Sequence, residues 1–204
     1  MTIFKLVKTS VVFFFLATIT LGVIYPFFTY LIGSVFFHHK AQGSLVYDSK
    51  KRIIGSELIG QKFSSEKYFH PRPSRSDNPY DPMSPSNANY GPTNKKLYGL
   101  IEQDIKNYKQ ENSTGEQPLP IDAITASASG LDPDISLRNA LLQVPRVAKS
   151  REISNEDVIK IIKELRKKRF LNILGQERVN VLKLNLALDE IKLKSSSIQT
   201  TPNN

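Results

Sequence analysis

The stretch Thr9–Phe37, TSVVFFFLATITLGVIYPFFTYLIGSVFF, carries no charged side chain. About 20 helical residues cross a bilayer core of ~30 Å, so this run is long enough to span one. A cleavable signal peptide has an apolar core of roughly 7–15 residues and a small-x-small site. This run is longer and leads into Phe36-Phe37-His38-His39. A soluble core helix that is apolar on every side needs a larger protein around it than 204 residues supply. The stretch therefore reads as an uncleaved anchor, and it divides the chain. Residues 1–10 form a short cytoplasmic leader, 11–33 the transmembrane helix, 34–189 one extracytoplasmic domain and 190–204 a polar tail.

Orientation follows from the short basic leader, Lys5 and Lys8, although Lys40, Lys50, Lys51 and Arg52 follow the span. Long carboxy-terminal domains translocate largely regardless of charge, which places the amino terminus in the cytoplasm. Pro26 removes one backbone bond and crowds the carbonyl of Gly22, so a kink is expected there. Thr18 with Gly22, and Thr29 with Gly33, set small residues four apart, the spacing that lets a second membrane helix approach closely.

The remainder is soluble in character, with a mean hydropathy of -0.29 for the whole chain despite the anchor. Ser44–Tyr47 and Arg52–Ile54, joined by Asp48–Lys51, read as a hairpin. Arg72–Pro92, crowded with Pro, Ser, Asn and Asp, reads as an extended surface loop. Leu97, Ile101, Ile105 and Tyr108 recur at helical spacing after a Thr93 or Asn94 cap, and Gln110–Pro120 reads as the loop that follows. Ile121–Ser127 is expected to be a short buried strand. A second helix should start near Ser136 and reach Gln143 or Val144, where Pro145 perturbs or ends it. A third has Ser154 as cap, Asp157 three residues on, and an apolar stripe of Val158, Ile161, Ile162 and Leu165. Its other side carries Lys160, Lys163, Arg166, Lys167 and Lys168. Leu182, Leu184, Leu186 and Leu188 alternate with smaller or polar residues, so Arg178–Asp189 is expected to be a strand that closes the domain. The tail from Glu190 is expected to be poorly ordered. The fold class is thus α+β: one N-terminal transmembrane helix followed by a single mixed α/β domain.

The chain lacks cysteine, so thiolate nucleophiles, disulfides and Cys-based metal sites are excluded. A Walker loop, a dinucleotide fingerprint, a G-x-S-x-G elbow and the Asp-Lys-Thr-Gly-Thr of a phosphorylated pump subunit are also missing. Ser127 and Ser129, with Asp132 and His70, are the nearest approach to a nucleophile set, and they define the alternative of a membrane-anchored serine hydrolase. Ser-Gly-Leu-Asp-Pro is also what a tight turn looks like. His38 and His39 lie at the membrane edge, where a metal-binding or pH-sensing role competes with simple interfacial placement. The net charge of +9 invites nucleic-acid binding, but no RNP-like or zinc-finger motif supports it, and the basic helix side is explained by solvation.

Several segments follow one another in a set order: the single N-terminal span, Gly55-Ser-Glu-Leu-Ile-Gly-Gln-Lys-Phe63, Tyr68-Phe-His-Pro-Arg-Pro-Ser74, Gly91-Pro-Thr-Asn94, Thr125-Ala-Ser-Ala-Ser-Gly-Leu-Asp-Pro133, Gln143-Val-Pro-Arg-Val-Ala148, and Arg178-Val-Asn-Val-Leu182 running into Leu184–Asp189. Taken together they resemble the KdpC family, the C subunit of the high-affinity potassium-transporting P-type ATPase. Departures are local: Ala128 and Asp134 stand where the family commonly has Gly and His, and Gly-Gln-Glu-Arg at 175–178 replaces Gly-Glu-Pro-Arg. The resemblance implies a non-catalytic accessory subunit of the bacterial plasma (inner) membrane that assists assembly. It also implies a catalytic chaperone that raises the ATP affinity of the ATPase subunit. The implied partners are a potassium-conducting subunit, the P-type ATPase subunit and a small fourth membrane subunit, within membrane lipid and without nucleic acid. No cofactor is implied for this chain; ATP is used by the partner. Within the resembling blocks, Tyr68, Phe69, Arg72, Asn94, Asp132 and Arg146 are the candidate subunit contacts. A domain outside the membrane can influence cytoplasmic ATP only by coupling through membrane partners.

Overall fold

The computed structural model describes residues 2–48, 50–75, 78–83 and 89–198, with side chains described as far as 191. Two compact units make up the chain, Met1–Leu45 and Val46–Asn204.

The first unit is helical from Ile3 to Phe36, 34 residues that are apolar beyond Lys8 and whose length and composition suit a membrane span. It comprises α1 (Ile3–Ile19), a π-helical turn over Thr20–Ile24, and α2 (Tyr25–Phe36), with a short α3 (His38–Ala41) after it. The wide turn explains how Pro26 is accommodated. Proline has no N–H to give and clashes with the carbonyl one turn back; a π turn immediately before it shifts the register, so that Tyr25 N–H reaches Thr20 O and Pro26 falls in the first turn of α2. Within the span, Thr18 and Thr29 return their hydroxyls to the carbonyls of Phe14 and Tyr25, at 2.8 and 2.9 Å.

The second unit begins with the expected hairpin, β1 (Leu45–Tyr47) paired with β2 (Ile53–Ser56). Asp48 ties its turn by accepting from the Lys50 and Arg52 amides. Among the described residues no helix or strand intervenes before α4 (Lys95–Asn112), which Asn94 caps by accepting from Lys96 N. Of the extended loop, residues 76–77 and 84–88 lie outside the described residues.

Four expectations are corrected. Ile121–Ser127 is not a strand: α5 (Ile121–Ile124) is a single helical turn started by Pro120, and Ile121 is exposed while Asp122 turns inward. The Asp122 carboxylate accepts from Ser136 N at 2.8 Å and Asn139 Nδ2 at 3.0 Å, an attachment that an inward polar side chain makes and a buried apolar strand cannot. Second, α6 (Leu137–Arg151) runs straight through Pro145. Both Pro145 and Leu141, whose carbonyl loses its intrahelical partner, lie on the exposed side, where water can satisfy the orphan. The opposite side, including Ala140, Val144, Val147 and Ala148, is buried and holds the helix together.

Third, β4 is only Arg178–Asn180, and α8 (Val181–Ile198) follows at once. The alternating leucines fit either period, because Leu184 and Leu188 are also one helical turn apart. The strand reading failed because residues 182–190 hold no β-branched side chain and are mostly strong helix formers. Asn180 supplies the start signal, its side chain accepting from Lys183 N. Fourth, the polar tail continues this helix as far as Ile198, and 199–204 lie outside the described residues.

β3 (Asp134–Ser136) pairs antiparallel with β4, Ile135 opposite Val179. Ser136 caps α6, and Ser154 caps α7 (Asn155–Leu165) as expected. Helices α6, α7 and α8 pack on this ribbon around Phe69, Ile135, Val147, Val158, Ile162 and Leu184. The result is an α+β unit with two small two-stranded ladders and a mainly helical core.

Candidate functional site

Most of the resembling blocks of the second unit meet at one feature, a strap over residues 66–72 that leaves a turn at Glu66–Lys67 and is held by buried polar side chains. The α6 face contributes Asn139, Gln143 and Arg146, one helical turn apart, all buried among apolar neighbours. Gln143 Oε1 accepts from His70 N at 2.8 Å while its Nε2 donates to His70 O at 3.0 Å. Asn185 on α8 does the same for Phe69, accepting from its N–H at 2.8 Å and donating to its carbonyl at 3.0 Å. Two side-chain amides thus replace the neighbouring strands that an extended segment would otherwise need.

Arg146 fixes the start of the strap. Its Nη1 donates to Glu66 O and Tyr68 O at 2.6 and 2.9 Å, its Nε to Asn112 Oδ1 at 2.9 Å, and its Nη2 to Gln143 Oε1 at 2.8 Å. Burial lowers its pKa below the ordinary guanidinium value, opposed by the Glu111 carboxylate 3.7 Å away. Such a fork can satisfy four acceptors at once, which a lysine cannot. Tyr108 closes the network with a 2.8 Å bond to Asn139 Oδ1, and burial raises its phenol pKa.

Further along, Arg72 turns to the Thr125–Pro133 loop. Its Nη1 meets Asp132 at 2.9 Å and its Nη2 reaches the carbonyls of Ala126 and Thr125 at 3.3 and 3.4 Å. That loop also receives the first block, because Gly60 N donates to Leu131 O at 2.7 Å. A Cβ at Gly60 would lie 2.7 Å from the Asp132 carbonyl oxygen, so only glycine fits. Asn180 Nδ2 meanwhile holds Glu57 O at 2.9 Å. A cleft of about 750 Å³ opens beside this junction, lined among others by Arg72, Asp122, Asp132, Asp134, Arg138 and Arg178.

The candidate contacts fall in different settings. Phe69 is wholly enclosed in the core and Arg146 is 9% exposed. Arg72 and Asp132 are half-buried partners of one another at the cleft, and Asn94 is a helix cap. Tyr68 is half-buried, donates to Asp189 at 3.1 Å, and has the Arg151 guanidinium 5.0 Å above its ring. In the first unit, Thr29 and Gly33 line one groove of about 630 Å³ with Tyr25, Pro26 and Tyr30, whereas Gly22 faces the Thr18 methyl one turn back along the same helix. Asn139, Gln143 and Asn185, the central members of the seam, were missed in the sequence. Their signal was present as polar residues on otherwise apolar helical faces.

The hydrolase set is not assembled. His70 pairs Nδ1 with Glu111 and places Nε2 3.0 Å from Ser65 O. Asp132 is taken by Arg72, Ser129 Oγ accepts from Leu131 N at 3.2 Å, and Ser127 Oγ is buried without a partner among the described residues. Among the described residues neither serine is bonded to a base.

Comparison with known proteins returns one consistent answer. A family model described as KdpC, K+-transporting ATPase, c chain, matches residues 7–190. The potassium-transporting ATPase KdpC subunit of Mycobacterium bovis (strain BCG / Pasteur 1173P2) is 45% identical over 175 residues, covering 85% of this chain and 92% of that one. The protein of the same description from Rhodopseudomonas palustris (strain BisB18) is 41% identical over 200 residues, covering 92% and 99%.

Proposed function

The chain belongs to the KdpC family of K+-transporting ATPase c chains, and from that premise we propose that it is a non-catalytic subunit that assists assembly of the pump and acts as a catalytic chaperone, raising the apparent affinity of the ATPase subunit for ATP. The family membership and the single N-terminal apolar helix describe a single-pass bacterial membrane protein of a potassium uptake complex. In this reading the amino terminus is cytoplasmic and the second unit lies outside. Its companions are a potassium-conducting subunit, a P-type ATPase subunit and a small fourth membrane subunit, and the ATP is bound by the ATPase subunit.

The observation that carries the accessory reading is the employment of the reactive side chains. The His70 ring is engaged by Glu111 and the Ser65 carbonyl, Arg72 and Asp132 hold one another, and Arg146 holds the carbonyls of Glu66 and Tyr68. Such a domain offers a rigid surface rather than a reaction centre. Rigidity suits a subunit that biases a partner between two states, because a docking face transmits coupling only if it does not itself yield.

The test uses the tagged full chain, recovered from its native membrane in mild detergent with its companions. We expect stoichiometric recovery of the other subunits, and on removal of this chain a rise in the ATP concentration needed for half-maximal potassium-stimulated ATPase activity. Solitary recovery, or an ATP dependence indifferent to the chain, overturns the proposal.

A further inference from the structure

Between α7 and β4 the chain projects a second, smaller hairpin. Lys167 pairs with Arg178 at its base, their amides and carbonyls exchanging bonds at 2.9 and 3.3 Å, and Phe170 pairs with Leu174 near its tip. The tip exposes four large apolar side chains, Phe170, Leu171, Ile173 and Leu174, to between 62% and 75%. Soluble surfaces carry single exposed apolar residues without consequence, but four in five positions on a projection form a contiguous patch.

Turn chemistry does not account for them. Leu171 and Asn172 both have positive φ, 51° and 60°, a conformation that Asn or Gly occupies readily and a leucine does not. A leucine held there, largely exposed, serves neither the turn nor the core, so its apolar surface has another use.

The charges beside the tip say what that use is. Arg166, Lys167, Lys168 and Arg169 precede it without an acidic residue among them. Arg166 pairs with Glu177 and Lys167 approaches Asp134 to 3.8 Å, while Lys168 and Arg169 have no carboxylate partner among the described residues. Apolar side chains set beyond a basic collar match a lipid interface, where the former enter the acyl boundary and the latter meet anionic headgroups. The chain's own anchor makes such contact intramolecular, so even a weak interaction is populated at high effective concentration. We propose that the tip Phe170–Leu174 inserts into the surface of the bilayer that holds the anchor, with Lys168 and Arg169 on anionic phospholipid headgroups. The inference rests on the membrane anchor and not on the accessory role, so the two fail separately.

The absence of cysteine allows single-site labelling. Full-length Leu171→Cys, and independently Ile173→Cys, is labelled with bimane and reconstituted in phosphatidylcholine vesicles containing phosphatidylglycerol and a nitroxide-bearing lipid. We expect quenching at least threefold greater than for a label at Met83→Cys, which is 90% exposed. Replacing phosphatidylglycerol by phosphatidylcholine, or adding Lys168→Glu with Arg169→Glu, should halve it. Quenching equal to that at residue 83 for both reporters overturns the proposal. So does a label that is unquenched in vesicles but becomes shielded when the other pump subunits are added, since the tip then docks on protein.

Discussion

The strap over residues 66–72 and the hairpin tip over residues 170–174 invert the usual partition of side chains in opposite directions. Around the strap, Asn139, Gln143, Arg146 and Asn185 are buried, while at the tip Phe170, Leu171, Ile173 and Leu174 stand exposed. Both arrangements are unfavourable in isolation. Buried amides and a buried guanidinium are tolerated only because their hydrogen bonds are met by backbone that has no sheet to join. Exposed leucine and phenylalanine gain nothing from folding at all. The first region explains itself inside the chain; the second is complete only with something outside it.

The sharpest way to break this comparison is to remove Arg146. Arg146→Ala strands the Arg146-bound carbonyls of Glu66 and Tyr68 and the Asn112 side-chain oxygen, and leaves Gln143 Oε1 with the His70 N–H alone. Breaking such a buried charged network costs about 3–5 kcal/mol, and chemical denaturation of the full chain in detergent should show a loss of that order. Arg146→Lys should recover only a minor part, because an ammonium cannot serve four acceptors in one plane. Full recovery by lysine would mean that charge, and not the fork, holds the strap.

Next in size is the amide pair. Gln143→Leu keeps bulk but leaves the His70 N–H and carbonyl unmet, and Asn185→Leu does the same at Phe69. Each should destabilise by about 1–3 kcal/mol. Since the two hold adjacent residues of one segment, the double variant should cost less than the sum, a non-additivity that a double-mutant cycle reads directly. Strict additivity would show that the strap is not a cooperative unit.

Much of the fold was legible where a signal was local. The charge-free run, the Asn94 and Ser154 caps and the apolar stripe of α7 each announce themselves within a few residues. The strand expected over 178–189 failed because alternating leucines satisfy two periods, and Pro145 misled because a proline stops a helix only when its orphaned carbonyl has no solvent to turn to. The seam was hidden for a different reason. Asn185 meets a backbone 116 residues away and Gln143 one 73 residues away, and no window along the chain relates them. The blocks that carry the family resemblance were legible as blocks, yet the part that residues 125–133, 143–148 and 184–189 share appears only when the fold brings them to the strap.

Acid provides a gentler probe of the same seam. Burial raises the Glu111 pKa, but the His70 hydrogen bond and charge, with Arg146, outweigh it, so the folded-state pKa lies below the ordinary 4.5. A carboxylate whose folded pKa is depressed contributes stability that is fully present above its unfolded value and lost as pH falls through the folded one. Stability should therefore be level above pH 4.5 with respect to this group and decline below it. In Glu111→Gln that part of the acid limb should flatten. An unchanged limb would place the acid sensitivity in other carboxylates and release Glu111 from the seam.

The smallest effect belongs to the tip, and its smallness is the point. Leu171→Ser removes an apolar side chain that is 74% exposed and has no core role. Surface substitutions of this kind shift stability by no more than about 0.5 kcal/mol, and serine, which also carries a Cβ, leaves the cost of the positive φ at this position as it was. The denaturation midpoint in detergent should accordingly stay where it is, while the lipid-quenching signal of a label at residue 173 drops. A large loss of stability would place Leu171 among the residues that hold the domain together. The contrast between a strap built for the chain and a tip built for its surroundings would then have to be given up.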